Sequence, residues 1–444
     1  MKRVARIGVA TVLAGALFVA GGIGVFRSVG DGVSAQTPPS ASRADALLAP
    51  VVSGSLEQII ESLQTRLRQL PTDWRSFASL GLAYVQQARV TADPSYYPKA
   101  EGVLRRSLEL EGRDNFEAMV GMAALAAARH DFAGALRWGE RARTINPYNA
   151  NVYGVIGDAQ VELGRYDDAF ATFQTMVDTL PSVASYARVS YARELLGDVP
   201  GAIRAMAAAR DLAGTPADTA WANYQLGELA FNRGDLDGAR AAYRRGAAAD
   251  ATYVPPSAGL AKVAWAEGHL PKAIAGYTDV VARFPSPEYV IALGDLYAAA
   301  GRPELAHRQY ALVRAEEQLF RANGVNVDLE LALFDAAHGD PVGAIQAARD
   351  EWAKRHSVHV ADAYAWALYA NGRYAEAAQY AATAMALGYR NALFTFHAGM
   401  IQLRLGHEAA ARRLLTRAID INPDLSIRYS PIARAQLAEL GGAA

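Results

Sequence analysis

Residues 150–181 read ANVYGVIGDAQVELGRYDDAFATFQTMVDTLP, and this stretch decides the fold. Tyr153, Ile156 and Gly157 fall on one face of a first helix, and Ala169, Phe170 and Phe173 on one face of a second, at the spacing of an amphipathic helix. Gly164-Arg165-Tyr166 joins the two helices, and Pro181 stops the second. Gly157 and Ala169 are small where the helices of a hairpin come closest, while Tyr153, Tyr166 and Phe173 fill the remaining space. A hairpin this short cannot bury both apolar faces alone, so it needs copies of itself stacked on either side.

Such copies run through the chain. Leu80-Gly81 and Ala100 mark the first, with an insertion over residues 90–98, and Met119, Phe132 and Ala135 mark a degenerate second. Residues 150–181 are the third, and Tyr186, Gly197 and Ala202 mark a fourth that departs furthest in its first helix. Leu226-Gly227, Leu260-Ala261, Leu293-Gly294 and Leu331-Ala332 mark the fifth to eighth. The second helix of the seventh runs on to Asn323-Gly324, and Tyr374-Ala377 and Gly399-Ala411 mark the ninth and tenth. An apolar stripe from Leu56 to Leu70, capped at Ser55 and stopped by Pro71, covers the open front end, and a short helix over residues 431–440 closes the other.

The order of large, small, turn, small, aromatic and proline resembles the tetratricopeptide repeat (TPR) family, whose pattern W-x2-L-G-x2-Y, A-x3-F, P recurs every 34 residues. Tyr153, Ile156-Gly157, Ala169, Phe173 and Pro181 match it, and Gln160 stands where the pattern has its first Tyr. The fold class this implies is all-α: a right-handed α-solenoid of about ten TPR hairpins with capping helices, over residues 55–444.

Composition narrows the function. The chain has 444 residues, 52% hydrophobic and 20% charged, with a net charge of -1, which suffices for a large core and argues against nucleic acid as the main partner. With no cysteine, disulfides, thiolate catalysis and thiolate metal sites are all excluded. Lys2, Arg3 and Arg6 precede an uncharged apolar run over residues 7–26. Residues 1–35 therefore read as an export segment, an uncleaved membrane anchor ahead of a signal peptide cut after Val33-Ser34-Ala35. Residues 36–54, rich in Pro, Ser and Ala, read as a flexible tether. The positive-inside rule places the remainder on the extracytoplasmic face of the cytoplasmic membrane, anchored or secreted.

No phosphate loop, zincin motif or nucleophile elbow occurs, so the protein reads as a non-enzyme without a cofactor. His130, His269 and His338 fall in or beside helix turns, where solvated polar residues are ordinary. His356, His359 and Asp362 have the i, i+3 spacing that could hold zinc. The competing reading makes them water-facing residues around a helix start; no fourth ligand is evident and no metal is expected.

In the TPR family the second, fifth, ninth and twelfth positions of each first helix point into the concave groove. Carried onto this chain, those positions are Asp158; Trp221, Tyr224, Glu228 and Phe231; Lys262 and Trp265; Glu288 and Asp295; and Asp362, Trp366 and Tyr369. Aromatics among carboxylates suit a peptide with apolar and basic side chains, although such rings also serve as packing between helices. The leading expectation is a non-catalytic scaffold of the cell envelope binding a polypeptide or assembly partners in that groove. A rival is an extracytoplasmic carrier of a small ligand, such as a sugar, cell-wall fragment or metal. A third is an assembly factor, since residues 55–74 are similar in style to TPR modules that assist cytochrome c maturation.

Overall fold

The structure, a computed structural model, describes residues 56–441; the export segment and tether assigned to residues 1–54 lie outside them. Among the described residues there are helices and no strands. Helix α1 (Leu56–Gln69) precedes ten hairpins: α2 (Trp74–Thr91) with α3 (Tyr96–Leu110), α4 (Phe116–Ala128) with α5 (Phe132–Ile145), α6 (Ala150–Glu162) with α7 (Tyr166–Thr179), and α8 (Val183–Leu195) with α9 (Val199–Asp211). Next come α10 (Pro216–Phe231) with α11 (Leu236–Ala249), α12 (Pro255–Ala266) with α13 (Leu270–Arg283), and α14 (Pro287–Ala299) with the long α15 (Pro303–Ala322). The last three are α16 (Asp328–His338) with α17 (Pro341–Trp352), α18 (Val358–Ala370) with α19 (Tyr374–Met385), and α20 (Ala392–Arg404) with α21 (Glu408–Ile421), before the closing α22 (Tyr429–Glu439). No described helix is long and apolar enough to cross a membrane.

Small residues set the helix spacing. Tyr243 of α11 is fully buried between Gly227 of α10 and Gly259 of α12, where an added Cβ would lie 2.3 and 2.5 Å from its ring. Four second helices start on one device, Asp-x-x-Gly. Asp131, Asp198, Asp235 and Asp340 accept from the backbone N–H of Gly134, Gly201, Gly238 and Gly343 at 2.8–2.9 Å. Each satisfies an orphan donor of the first helical turn.

The solenoid curls until its second winding lies on its first. The turn inside an early hairpin meets the loop that follows the hairpin five places on: His356 N–H donates to the Glu162 carbonyl at 3.0 Å, Asn326 N–H to that of Arg129 at 3.2 Å, and Asn422 Nδ2 to that of Phe231 at 3.0 Å. Tyr166 and Val358, Glu162 and Arg355, and Glu194 and Tyr389 also meet along this seam, 192 to 195 residues apart. Gly197 has φ of 75° and an added Cβ there would lie 2.5 Å from the Gly388 carbonyl oxygen, so both the turn and the next winding require glycine. The core follows suit. Phe320, Val325 and Val327 pack into the cluster of α1 to α4, and Val358, Ala361, Tyr389 and Phe394 into that of α7 and α8.

Arg355 locks the seam. It is 1% exposed, donates to Glu162 at 3.1 Å and to Glu351, and lies 5.1 Å above the Phe132 ring. Beside it Glu330 has neither carboxylate oxygen partnered, and burial, against the pull of Arg355, pushes it up to about 7.

Of the turn histidines, His269 is exposed as expected, whereas His130 and His338 differ from their expected solvated state. His130 takes the left-handed φ of 61° that glycine holds in other turns, stacks on Phe132, and is held down to about 3, first by burial and then by Arg355. His338, 7% exposed, lies 3.0 Å from Asp295 through Nε2 and 2.8 Å from the Phe334 carbonyl through Nδ1.

Candidate functional site

Where the windings touch, His359 and Tyr389 of the second winding join residues of the first in lining a lumen on the solenoid's inner face. Two spaces are lined by the expected groove residues. The first is an internal cavity of about 490 Å³. Trp221, Tyr224 and Glu228 of α10 and Glu288 of α14 line it, together with Arg89 of α2, Glu194 of α8, and His359 and Tyr389 from the second winding. The second is a cleft of about 800 Å³, more open than the first, between α15, α16, α18 and the loop before α22. Tyr310, Phe334, His338, Trp366, Tyr369, Arg314 and Arg428 line it.

Several groove candidates, including Glu228 and Trp366 of these linings, are tied to partners inside the protein. Asp158 takes two bonds from the buried Arg188 at 2.6 and 2.9 Å. Glu228 accepts from the Tyr243 hydroxyl at 2.6 Å and from Lys262 at 2.8 Å, and the Lys262 ammonium lies 4.4 Å above the Phe231 ring. Trp265 packs against the cores around α12 and α13. Asp295 accepts from the Tyr310 hydroxyl at 2.8 Å and faces His338. Asp362 lies 2.9 Å from His397 Nδ1 with both side chains almost fully buried. Trp366 stacks on His397 at 4.0 Å and on Tyr369 at 4.4 Å, and donates to the Tyr429 hydroxyl at 3.0 Å.

His356, His359 and Asp362 are not gathered into one site. His356 is exposed beside the Trp352 ring, His359 turns to the internal cavity, and Asp362 turns inward to His397. The reading of all three as water-facing therefore fails for Asp362, which is 2% exposed, and for His359, which burial holds down to about 4. No group of three or more His, Asp or Glu able to hold a metal occurs among the described residues.

Sequence reasoning passed over Arg89, Glu194, Tyr289 and Tyr389 of the cavity. Glu194 and Arg89 sit at the tail of their first helices, and Tyr289 and Tyr389 at a helix start and in a loop, outside the four groove positions. Their signal is charge or phenol placed where a helix end faces the lumen.

No curated protein matches the sequence. Among solved structures, one chain of the APC/C hetero-tetramer Cut9-Hcn1 is 14% identical, with 90% of this chain and 85% of that one covered at a TM-score of 0.42. A tetratricopeptide repeat protein from Parabacteroides merdae is 15% identical over 59% of this chain and 99% of that one, at 0.33. YrrB, a TPR protein with an unusual peptide-binding site, is 16% identical over 41% and 92%, at 0.29. The tetratricopeptide repeat family model matches residues 186–254, 259–318 and 363–426. The described chain is an all-α helical-repeat solenoid, and those three segments are similar to the tetratricopeptide repeat family.

Proposed function

We propose that the protein is a non-catalytic interaction scaffold that holds a polypeptide partner in its open cleft, on the outer side of the cytoplasmic membrane. Repeat solenoids of this family suggest protein–protein interaction in general. The observation that supports this particular reading is the chemistry of the cleft. The partly exposed Tyr369 extends the Trp366–His397 stack, Phe334 and Tyr310 lie across from it, and the exposed Arg428 stands at the rim. The nearby carboxylates Asp295, Asp335 and Asp362 are each tied to an internal partner. The free groups of the cleft are thus rings and a guanidinium, which suit a segment bearing an aromatic or aliphatic side chain and a carboxylate.

A photo-crosslinking residue at the exposed rim position His307, in the full-length protein in cells, tests this. A reproducible polypeptide partner is expected. Its purified binding segment should bind Tyr369→Ala and Arg428→Glu at least tenfold more weakly than the parent, with melting temperatures unchanged. Equal binding by both variants would move the partner off this cleft. A C-terminal alkaline phosphatase fusion, active only outside the cytoplasm, tests the location.

A further inference from the structure

The internal cavity shares no lining residue with the cleft and presents a different problem. Arg89 makes no hydrogen bond or ion pair among the described residues, and its Nη2 is buried without a partner. Asp158, the carboxylate that acts on it, is already held by Arg188. Burial brings the Arg89 guanidinium down only to about 10, so it stays a cation, and a buried unpaired cation is costly unless something supplies the anion.

The opposite charge waits elsewhere in the same space. Among the described residues Glu288 has no hydrogen-bond partner, and Glu194 meets only the Tyr389 hydroxyl, at 3.4 Å. Burial first, and then repulsion from Glu228, push Glu288 up to about 7; burial likewise pushes Glu194 up to about 7. Lys262, the cation that draws Glu288 down, is itself bound to Glu228. Tyr253 lines the same cavity and lies within electrostatic reach of Arg89, Glu228 and Glu288.

Much of the cavity wall is aromatic. Tyr224 and Tyr253 meet edge to face at 6.3 Å, and Phe284 and Tyr289 lie 6.3 Å apart. Two lining residues, Trp221 and Tyr289, each 2% exposed, keep an indole N–H and a hydroxyl with no partner among the described residues. Gln86 and His359 also line the cavity and carry an unpartnered buried acceptor oxygen and ring nitrogen. Buried polar atoms are nearly always satisfied, and five such atoms around one cavity mark a place where a ligand supplies the missing partners.

We infer that this cavity binds a small zwitterion, a free amino acid or a short peptide, with its carboxylate at Arg89, its ammonium at Glu288 and Glu194, and its body against the Tyr224, Tyr253 and Tyr289 rings. A neutral sugar would satisfy the hydrogen-bonding atoms but leave both ends of the charge unmatched. An amine alone would leave Arg89 unmet, and a simple anion would leave the carboxylates so.

The test is a thermal-shift screen of the full-length protein with the twenty proteinogenic amino acids and the alanyl dipeptides, followed by calorimetry. N-acetylglucosamine, putrescine and acetate serve as single-chemistry controls. At least one zwitterion is expected to raise the melting temperature and to titrate at one site per chain. Its N-acetylated and its amidated derivatives should each bind the unmodified protein at least tenfold more weakly, as should the parent ligand to Arg89→Gln and to Glu288→Gln. The derivative comparison needs no variant and stands even if one of these fails to fold. The inference is overturned if no zwitterion binds, if a control binds in its place, or if blocking either charged group leaves affinity unchanged. Loss of the cleft partner in Tyr369→Ala leaves this binding intact, which separates the two readings.

Discussion

Glu316 shows what one buried carboxylate does to the pH dependence of the whole. It is 1% exposed on α15, neither oxygen has a partner among the described residues, and burial alone pushes it up to about 8 from an ordinary 4.5. Between those pH values the folded chain holds a proton that the unfolded chain has lost, so this group makes stability fall as pH rises from 4.5 to 8 and then level off. Glu316→Gln removes that slope. Its melting temperature should exceed the parent's by a few degrees at pH 8.5 and match it near pH 4.5, read by calorimetry across that range. His130 and His359 act in the opposite sense, since both stay neutral in the fold below the pH at which the unfolded imidazole charges. None of these three was legible as buried from the sequence. His130 occupies a turn that glycine fills elsewhere, and what encloses it, Arg355 and Asn326, comes from the far winding.

At the scale of the helix pair, the hairpin pattern was readable because each hairpin is set by short-range contacts. The helices α6 and α7 fall where residues 150–181 place them, and the long α15 ends at Ala322, beside Asn323-Gly324. The insertion expected over residues 90–98 is a loop of only four residues, because α2 continues through Thr91 and α3 begins at Tyr96. The closing helix begins two residues earlier than expected, at Tyr429, whose ring packs on Trp366. Tyr243 gives the sharpest test of the helix spacing. Gly227→Leu would drive a branched side chain into its ring, and overpacking of this kind costs about 1–3 kcal/mol or more. The expected result is a lower midpoint of urea unfolding and weakened protection of α10 to α12 in hydrogen exchange, with α20 and α21 unaffected.

For the whole molecule, the sequence carries the repeat but not the winding. Curvature sums small rotations at every hairpin, and the bonds made by side chains across the seam span 191 to 195 residues, beyond any local pattern. That is why the expected groove positions part company in the structure. Trp221, Tyr224, Glu228 and Glu288 meet in one cavity, and Trp366 and Tyr369 in the cleft, while Asp158 and Asp362 are consumed by Arg188 and His397. Arg355 is the test of the seam. Removing one member of a buried ion pair costs about 3–5 kcal/mol, and Arg355→Met strands Glu162 and Glu351 between the windings. The variant is expected to melt lower and to show a larger radius of gyration in small-angle scattering, whereas a lower melting point with an unchanged radius would confine Arg355 to local support.

The touching windings make the molecule a coil spring at its solid height. Such a spring cannot shorten, since Gly197 already lies against Gly388 and Gly164 against His356. Any large axial motion left to it is extension. A load that pulls the two ends apart would part the seam first, breaking the His356–Glu162 and Asn422–Phe231 bonds before any hairpin unzips. The lumen would then widen along its whole length, so tension on the chain would act as a release for whatever the cavity holds.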